Sequence, residues 1–330
     1  MNDFKSVVGH KAVVKNLISA LNNGKTSHAY IISGMAGVGK MTIAKAFARA
    51  LQCENYDGDS CGKCISCQSF DSGNHPDVFY VMPKKTRALS VDDIREQVIK
   101  QSEIKQYKYK YKVFIVDKAD TMTPQAQNAL LKTLEEPPSY AVILLLAENT
   151  ASFLPTILSR CVMLKLNPLS SEQVKNYIKL KEGADEKTAS LYAEYAQGSV
   201  GKALELYSDS SFAEKRENVI KNIVSASEGD VVSAINCAKQ FEIYKEDKSF
   251  TDIITLFFRD VIVFKTTRDE NLVIQKDILE DVKKISRKFK PEQLIKKYEA
   301  ARDFQKQLKS NASFNLSCEV LMMKINDKTM

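Results

Sequence analysis

The chain has 330 residues, 44% hydrophobic and 27% charged, a balance that fits a soluble globular protein of two or three domains and excludes a disordered or fibrous one. No uninterrupted apolar run reaches the ~18–20 residues of a membrane span, and the N-terminus, "MNDFKSVVGHK", has no apolar signal core, so the expectation is a cytoplasmic protein with no membrane partner. The net charge of +7 permits contact with nucleic acid without requiring it, because 48 Lys and Arg stand against 41 Asp and Glu and the excess is spread along the chain.

The first predicted strand, "HAYIIS" (His28–Ser33), runs into "GMAGVGK" (Gly34–Lys40) and then a helical pattern, "MTIAKAFARALQ". A strand, a glycine-rich turn and a helix in that order make a phosphate-binding loop. Gly34, Gly37 and Gly39 let backbone N–H groups face an anion, and Lys40 reaches toward the outer phosphates. Met41 then stands where a hydroxyl normally coordinates magnesium, and a thioether is a poor ligand for a hard cation. Thr42 does not replace it, since one helical residue turns the side chain by about 100°.

Behind that helix, Cys53, Cys61, Cys64 and Cys67 form C-x7-C-x2-C-x2-C. The two x2 turns place thiolates at the spacing of tetrahedral zinc, and four sulfurs would close the site, making it structural. Redox dithiols and unpaired structural cysteines are the competing readings. Cys161, Cys237 and Cys318 are isolated and read as small buried hydrophobes.

"DVFYVM" (Asp77–Met82), "KVFIVD" (Lys112–Asp117), "AVILLLA" (Ala141–Ala147) and "CVMLKL" (Cys161–Leu166) read as four further strands, near-continuous apolar runs of the kind parallel strands show when covered on both faces. Between them, Ser90 with Asp93 opens a helix through a capping-box-like arrangement, and Thr123 with Pro124 opens another that stops at Pro137–Pro138. "KQYKYKYKV" (Lys105–Val113) alternates Lys with Tyr like a nucleic-acid platform, but is read as one solvated face of the strand leading to Asp117. Asp117 ends its strand well placed for magnesium. Lys118 follows it where a carboxylate would orient an attacking water, a task a lysine at its ordinary pKa does not perform. After "LNPLS" the chain reads as helical, with "SDSSFAEKRE" from Ser208 as a linker and Ile254, Phe257, Phe258 and Val261 as a helical stripe, read as core with a subunit interface as the alternative. His28 and His75 have no evident acid–base partner and read as structural. No paired-carboxylate site for a polymerase or nuclease stands out.

"SHAYIISGMAGVGK", "NHPDV", "KYKVFIVDKADTMTPQAQNALLKTLEEPP" and "LPTILSRC" together resemble the AAA+ subunits of the bacterial DNA polymerase III clamp loader, from about Phe4 to Leu206. The resemblance implies an α/β AAA+ P-loop domain with a five-stranded, mostly parallel sheet over 1–166, carrying a zinc module at 53–67, then a small helical lid over 167–208 and an all-α collar for oligomerisation over 209–330. It implies a degenerate nucleotide site of Gly34, Gly37, Gly39, Lys40 and Asp117, with ATP binding possible and hydrolysis not expected. Three features of the family's motor subunits are missing: Met41 replaces a hydroxyl, Lys118 a Glu, and Gly201 the Arg of "GSxR". Their joint loss resembles the non-hydrolysing member of the ring. Arg160, in "SRC", is then implied to act in trans on the phosphates of a neighbour's ATP. The implied partners are tau/gamma and delta clamp-loader subunits and, through the assembled holoenzyme, the sliding clamp and primer–template DNA; Asn149 loosely matches a polar sensor position. The alternative reading is a catalytically active, short motor subunit.

Overall fold

The computed structural model describes residues 2–84, 88–247, 249–310 and 312–329. They fall into two compact units, Met1–Glu182 with Ala196–Lys202, and Gly183–Tyr195 with Ala203–Met330.

The first unit carries α1 (Lys11–Asn22), β1 (Ala29–Ser33), α2 (Lys40–Gln52), α3 (Ile65–Asp71), β2 (Val78–Val81), α4 (Val91–Ile94), α5 (Lys100–Glu103), β3 (Lys112–Val116), α6 (Pro124–Glu135), β4 (Ala141–Ala147), α7 (Pro155–Leu158), β5 (Val162–Lys165) and α8 (Ser171–Glu182). A five-residue π-helical stretch, Arg95–Ile99, joins α4 to α5. Each strand lies inside its predicted segment. The sheet order is β2-β3-β4-β1-β5 and every pairing is parallel, so "mostly parallel" sharpens to wholly parallel. Every residue of β1, β3 and β4 is buried, because helices cover both faces. Successive residues divide between two cores. Tyr30, Ile32, Val113, Ile115, Leu144 and Leu146 pack with Phe47 of α2, while Ile31, Phe114, Val116, Ile143 and Leu145 pack with Leu130 of α6.

The helix starts follow their capping chemistry. Ser90 and Asp93 form a reciprocal capping box, and the Thr123 hydroxyl accepts the Ala126 N–H with Pro124 at the first helical position. One expectation fails here: the Lys/Tyr segment is not a face of the Asp117 strand. Regular strand begins only at Lys112, and residues 104–111 form a loop ahead of it.

The second unit is helical. It takes most of α9 (Glu186–Ala196) and α10 (Val200–Ser208), followed by α11 (Phe212–Glu228), α12 (Val231–Gln240), α13 (Phe250–Thr267), α14 (Leu279–Lys288), α15 (Pro291–Lys309) and α16 (Phe314–Asn326). Among the described residues no strand follows β5. The expected linker from Ser208 is corrected: α11 starts at Phe212, whose ring is fully buried against Tyr192 and Tyr195, and this apolar anchor outweighs the polar composition around it. Ile254, Phe257, Phe258 and Val261 of α13 are all fully buried, as a core stripe requires. Lys297 is equally buried, its ammonium donating to the carbonyls of Lys324, Ile325 and Asp327 at the end of α16. Removing the ring in Phe257→Ala is expected to cost about 3–5 kcal/mol, measured by denaturant unfolding of the whole chain.

Candidate functional site

In a parallel sheet the loops at the carboxyl ends of the strands make the ligand crevice. Registers Ser33↔Ala147, Ser33↔Lys165 and Val116↔Leu145 bring the phosphate loop, Asp117 and Glu148–Asn149 to one edge. Gly37 and Gly39 hold φ of 68° and 110°, values that side chains rarely adopt, and Gly39 is the residue from which α2 starts. The carbonyls of the loop are all engaged. Those of Gly34 and Met35 accept from the Lys40 ammonium at 2.7 and 2.9 Å, and that of Ala36 accepts from the Ser199 hydroxyl at 2.9 Å. The Gly37 carbonyl accepts from the Gly201 N–H at 2.9 Å, and the Val38 carbonyl lies 3.0 Å from His10 Nε2. Carbonyls held by these partners are what a phosphate cradle requires of its loop; the N–H groups of Gly34 and Val38 are themselves bonded to the carbonyls of Ala147 and Met35.

Gly201 packs on Gly37. A Cβ at 201 would lie 2.8 Å from the Gly37 Cα, and one at 37 would lie 2.4 Å from Ser199 Oγ. The position that carries an arginine in the motor pattern therefore touches the loop through its backbone here. Ser199 is fully buried and its Oγ also accepts the Lys202 N–H, so it caps α10 and binds the loop at once. Sequence reading missed Ser199; the only available signal was a serine three residues ahead of the lysine at a helix start.

The cation side of the site is incomplete. Met41 is half-buried and packs against the core that contains Phe47 and Ile32, and Thr42 is exposed. Asp117 accepts the N–H of Lys118, which is exposed with φ of 50°. Burial lowers the Lys40 pKa, opposed by the nearby charges of Glu148, Asp120 and Asp117. Asp120, unnoticed in the sequence, accepts the N–H groups of both Glu148 and Asn149 at 3.0 Å and so fixes the end of β4. Asn149 itself caps the following turn, its Oδ1 accepting the Ala151 N–H. The loop and Lys40 fit a phosphate group; Asp117 suits magnesium, but the Met41 thioether in the second ligand position does not.

Arg160 lies past α7 with its side chain about one-third exposed. It pairs with Glu135 at 2.8 Å and donates to the Thr156 carbonyl at 3.0 Å. The glutamate belongs to the "LEEPP" segment, a partnership that no periodicity announced.

The sulfurs of Cys53, Cys61, Cys64 and Cys67 all lie within 4.8 Å of one another, placed to bind a metal. The N–H groups of Cys61, Cys64 and Cys67 point at the sulfurs of Cys53, Cys61 and Cys64 at 3.2–3.4 Å, contacts that stabilise thiolates. The N–H groups of Lys63 and Cys64 pull the Cys61 thiol down to about 6, whereas burial pushes Cys53 and Cys67 up. Cys237 and Cys318 are buried as expected; Cys161 is half-buried, its thiol pushed up to about 12 by desolvation. His75 is structural, joining Ser66 Oγ to the Asp77 N–H.

A family profile described as DNA polymerase III, delta subunit, matches residues 9–170, and one described as DNA polymerase III, delta subunit, C terminal, matches residues 210–325. The chain belongs to this clamp-loader family. Among its relatives, the DNA polymerase III subunit delta' of Bacillus subtilis is 28% identical over 96% of this chain and 95% of its own length. The gamma subunit of Buchnera aphidicola from Schizaphis graminum is 36% identical over 66% of this chain, and the tau subunit of Escherichia coli 33% identical over 68%. This chain spans 61% of that gamma subunit and 36% of that tau subunit. A gamma subunit-related protein of Thermotoga maritima aligns over 96% of this chain and 99% of its own, at 20% identity and a TM-score of 0.45. The α/β core of this chain is the five-stranded, wholly parallel sheet described above.

The Gly201–Gly37 contact is directly testable. By helix propensity alone, Gly201→Ala would stabilise α10 by nearly 1 kcal/mol. Because the new Cβ meets the Gly37 backbone, the variant is instead expected to lose about 1–3 kcal/mol in denaturant unfolding.

Proposed function

We propose that this chain serves as the non-hydrolysing delta-prime subunit of a DNA polymerase III clamp loader. On this reading it is a scaffold in a hetero-oligomeric ring that loads the sliding clamp on primed DNA. The observation that carries it is the mismatch at one sheet edge: a glycine loop with Lys40 held on its carbonyls, beside Met41, half-buried against the core where a magnesium ligand is needed. The near full-length match to the Bacillus subtilis delta' subunit supports the same assignment. The gamma and tau relatives, 33–36% identical over about two-thirds of this chain, favour a second reading, a short motor ATPase. Hydrolysis separates the two. The isolated chain is expected to show no steady-state turnover with magnesium and ATP, and robust turnover would establish the motor reading.

In the proposed ring, residues 1–166 form the nucleotide-binding-like domain, 167–208 a helical lid and 209–330 a collar. Leu316, Val320 and Met323 lie along one exposed face of α16, an apolar strip that supports a role for the last segment in assembly. Tau/gamma and delta subunits would be the direct neighbours, and clamp and primer–template DNA would be reached through the complex, in the cytoplasm. Gly34, Gly37, Gly39, Lys40 and Asp117 would hold any bound nucleotide, without hydrolysing it.

Arg160 would be this chain's contribution to catalysis. A guanidinium delivered in trans stabilises the charge that develops on a transferring phosphoryl group. Its pair with Glu135 is one-third exposed at the arginine and about one-half at the glutamate, and such surface pairs contribute about 0–1 kcal/mol, little enough to be exchanged for phosphate oxygens. Arg160→Ala is expected to assemble normally and to lower the DNA-stimulated ATPase of the complete loader by about tenfold or more. A wild-type rate would remove Arg160 from that role.

Zinc would be held by Cys53, Cys61, Cys64 and Cys67, and would supply a structural cross-link between the end of α2 and the start of α3. Protein purified without chelator is expected to contain about one zinc per chain, and Cys64→Ser with Cys67→Ser to lose both the metal and thermal stability. Less than about half an equivalent in the wild type would contradict the site.

A further inference from the structure

We propose that the loop from Ile104 to Lys112 is a contact surface for single-stranded nucleic acid. Tyr107 would be its stacking platform, and Lys105, Lys108 and Lys110 its phosphate contacts. The loop sits at the amino end of β3, the opposite edge of the sheet from the phosphate loop.

Its conformation is held although it has no regular secondary structure. The carboxylate of Asp77, which is 1% exposed, accepts the N–H groups of Tyr107, Lys108 and Tyr109 at 2.6, 3.1 and 3.2 Å. The Tyr109 ring is buried with its centroid 4.6 Å from that of His75. Gln52 brackets Tyr111, its amide oxygen accepting the Tyr111 N–H and its amide nitrogen donating to the Tyr111 carbonyl. Lys112 is buried, and its ammonium donates back to the Ile104 carbonyl at 3.1 Å, closing the loop on itself.

What this scaffold presents is unusual for a surface. Tyr107 is 82% exposed, and Lys105, Lys108 and Lys110 are exposed on the same loop. Lys108 and Lys110 lie over the Tyr109 and Tyr111 rings at 5.4 and 5.1 Å, and Glu54 stands 3.9 Å from Lys108. Three exposed ammonium groups on one loop with an exposed aromatic ring match a chain of phosphates with unstacked bases, since every base offers a face to stack on. In a duplex those faces are already covered. Because the loop is tied at both ends and in the middle, a ligand would not have to order it. The inference extends the clamp-loader reading by giving this chain its own nucleic-acid contact. It depends on neither Arg160 nor the cysteines, so its failure would leave that reading standing.

The test is fluorescence anisotropy of the full chain with a labelled oligothymidylate of ~20 nucleotides and with a duplex of equal length, at ~50 mM salt and upward. The wild type is expected to bind the single strand more tightly than the duplex. Lys105→Glu, Lys108→Glu and Lys110→Glu combined are expected to weaken binding by about tenfold or more and to reduce the salt slope by about 2. Tyr107→Ala is expected to weaken single-strand binding about tenfold, with Tyr107→Phe near wild type, because the phenyl face suffices for stacking. Melting temperatures would confirm that these exposed substitutions leave the fold intact. No binding by the wild type, or unchanged binding by the triple variant, overturns the proposal, as does equal affinity of Tyr107→Ala and wild type. Loss of assembly with clamp-loader subunits at unchanged oligonucleotide affinity would likewise overturn it, assigning the loop to a protein partner.

Discussion

The carbonyls of the phosphate loop must point away from the crevice if its N–H groups are to point in, and each therefore needs a donor elsewhere. Lys40 serves two of them, and His10, Ser199 and Gly201 serve one each. These donors come from α2, from the entry to α1 and from the start of α10. The loop is thus the point at which three distant segments of the chain meet. A buried carbonyl left without its donor would cost about 1–3 kcal/mol, so the loop's shape is maintained by folding as well as by any ligand.

On the proposed reading, that dependence would account for a loop kept where hydrolysis is not needed. Gly37 and Gly39 are under structural constraint, since φ of 68° and 110° penalises side chains at both and a Cβ at 37 would also lie 2.4 Å from Ser199 Oγ. Met41 is under no such constraint from magnesium. Its thioether sits against the sheet core, where a flexible apolar side chain packs well and a hydroxyl would bring an unneeded polar group. Gly201 follows the same logic. An arginine there would need its Cβ where the Gly37 backbone now lies, so the tight contact and the absent side chain are one feature.

The fold was largely legible in the sequence because its signals are local. Five apolar runs fell where the strands are, and Ser90 with Asp93 and Thr123 with Pro124 marked helix starts through side chains only three residues apart. The four cysteines were legible for the same reason. The contacts that define the site were not. Ser199 reaches Ala36 across 163 residues, Asp120 reaches Glu148 across 28, and Glu135 meets Arg160 only because α6 and α7 lie side by side. Two misreadings came from composition. Polar residues around Phe212 hid a helix anchored by one buried ring, and alternating Lys and Tyr imitated a strand that Asp77 folds into a loop. Periodicity reports what a segment buries; it does not report a single carboxylate that gathers three N–H groups from 30 or more residues away.

Charged groups at the amino-end edge of the sheet differ in how firmly they are held, and on the proposed reading this difference separates scaffold from function. Asp77 and Lys112 are buried and serve backbone partners, so they shape the chain and are not available to a ligand. Arg160 is one-third exposed, and its Glu135 partner about one-half, on the rim of the same sheet. A pair in that setting is screened by water and salt, and holds the guanidinium in place without committing it. Glu135 thus keeps Arg160 from wandering among its many rotamers, which reduces the ordering cost of any later contact with a phosphate. An arginine fully buried in an ion pair would be too costly to withdraw, and one with no partner would be poorly positioned; the exposed pair lies between these limits.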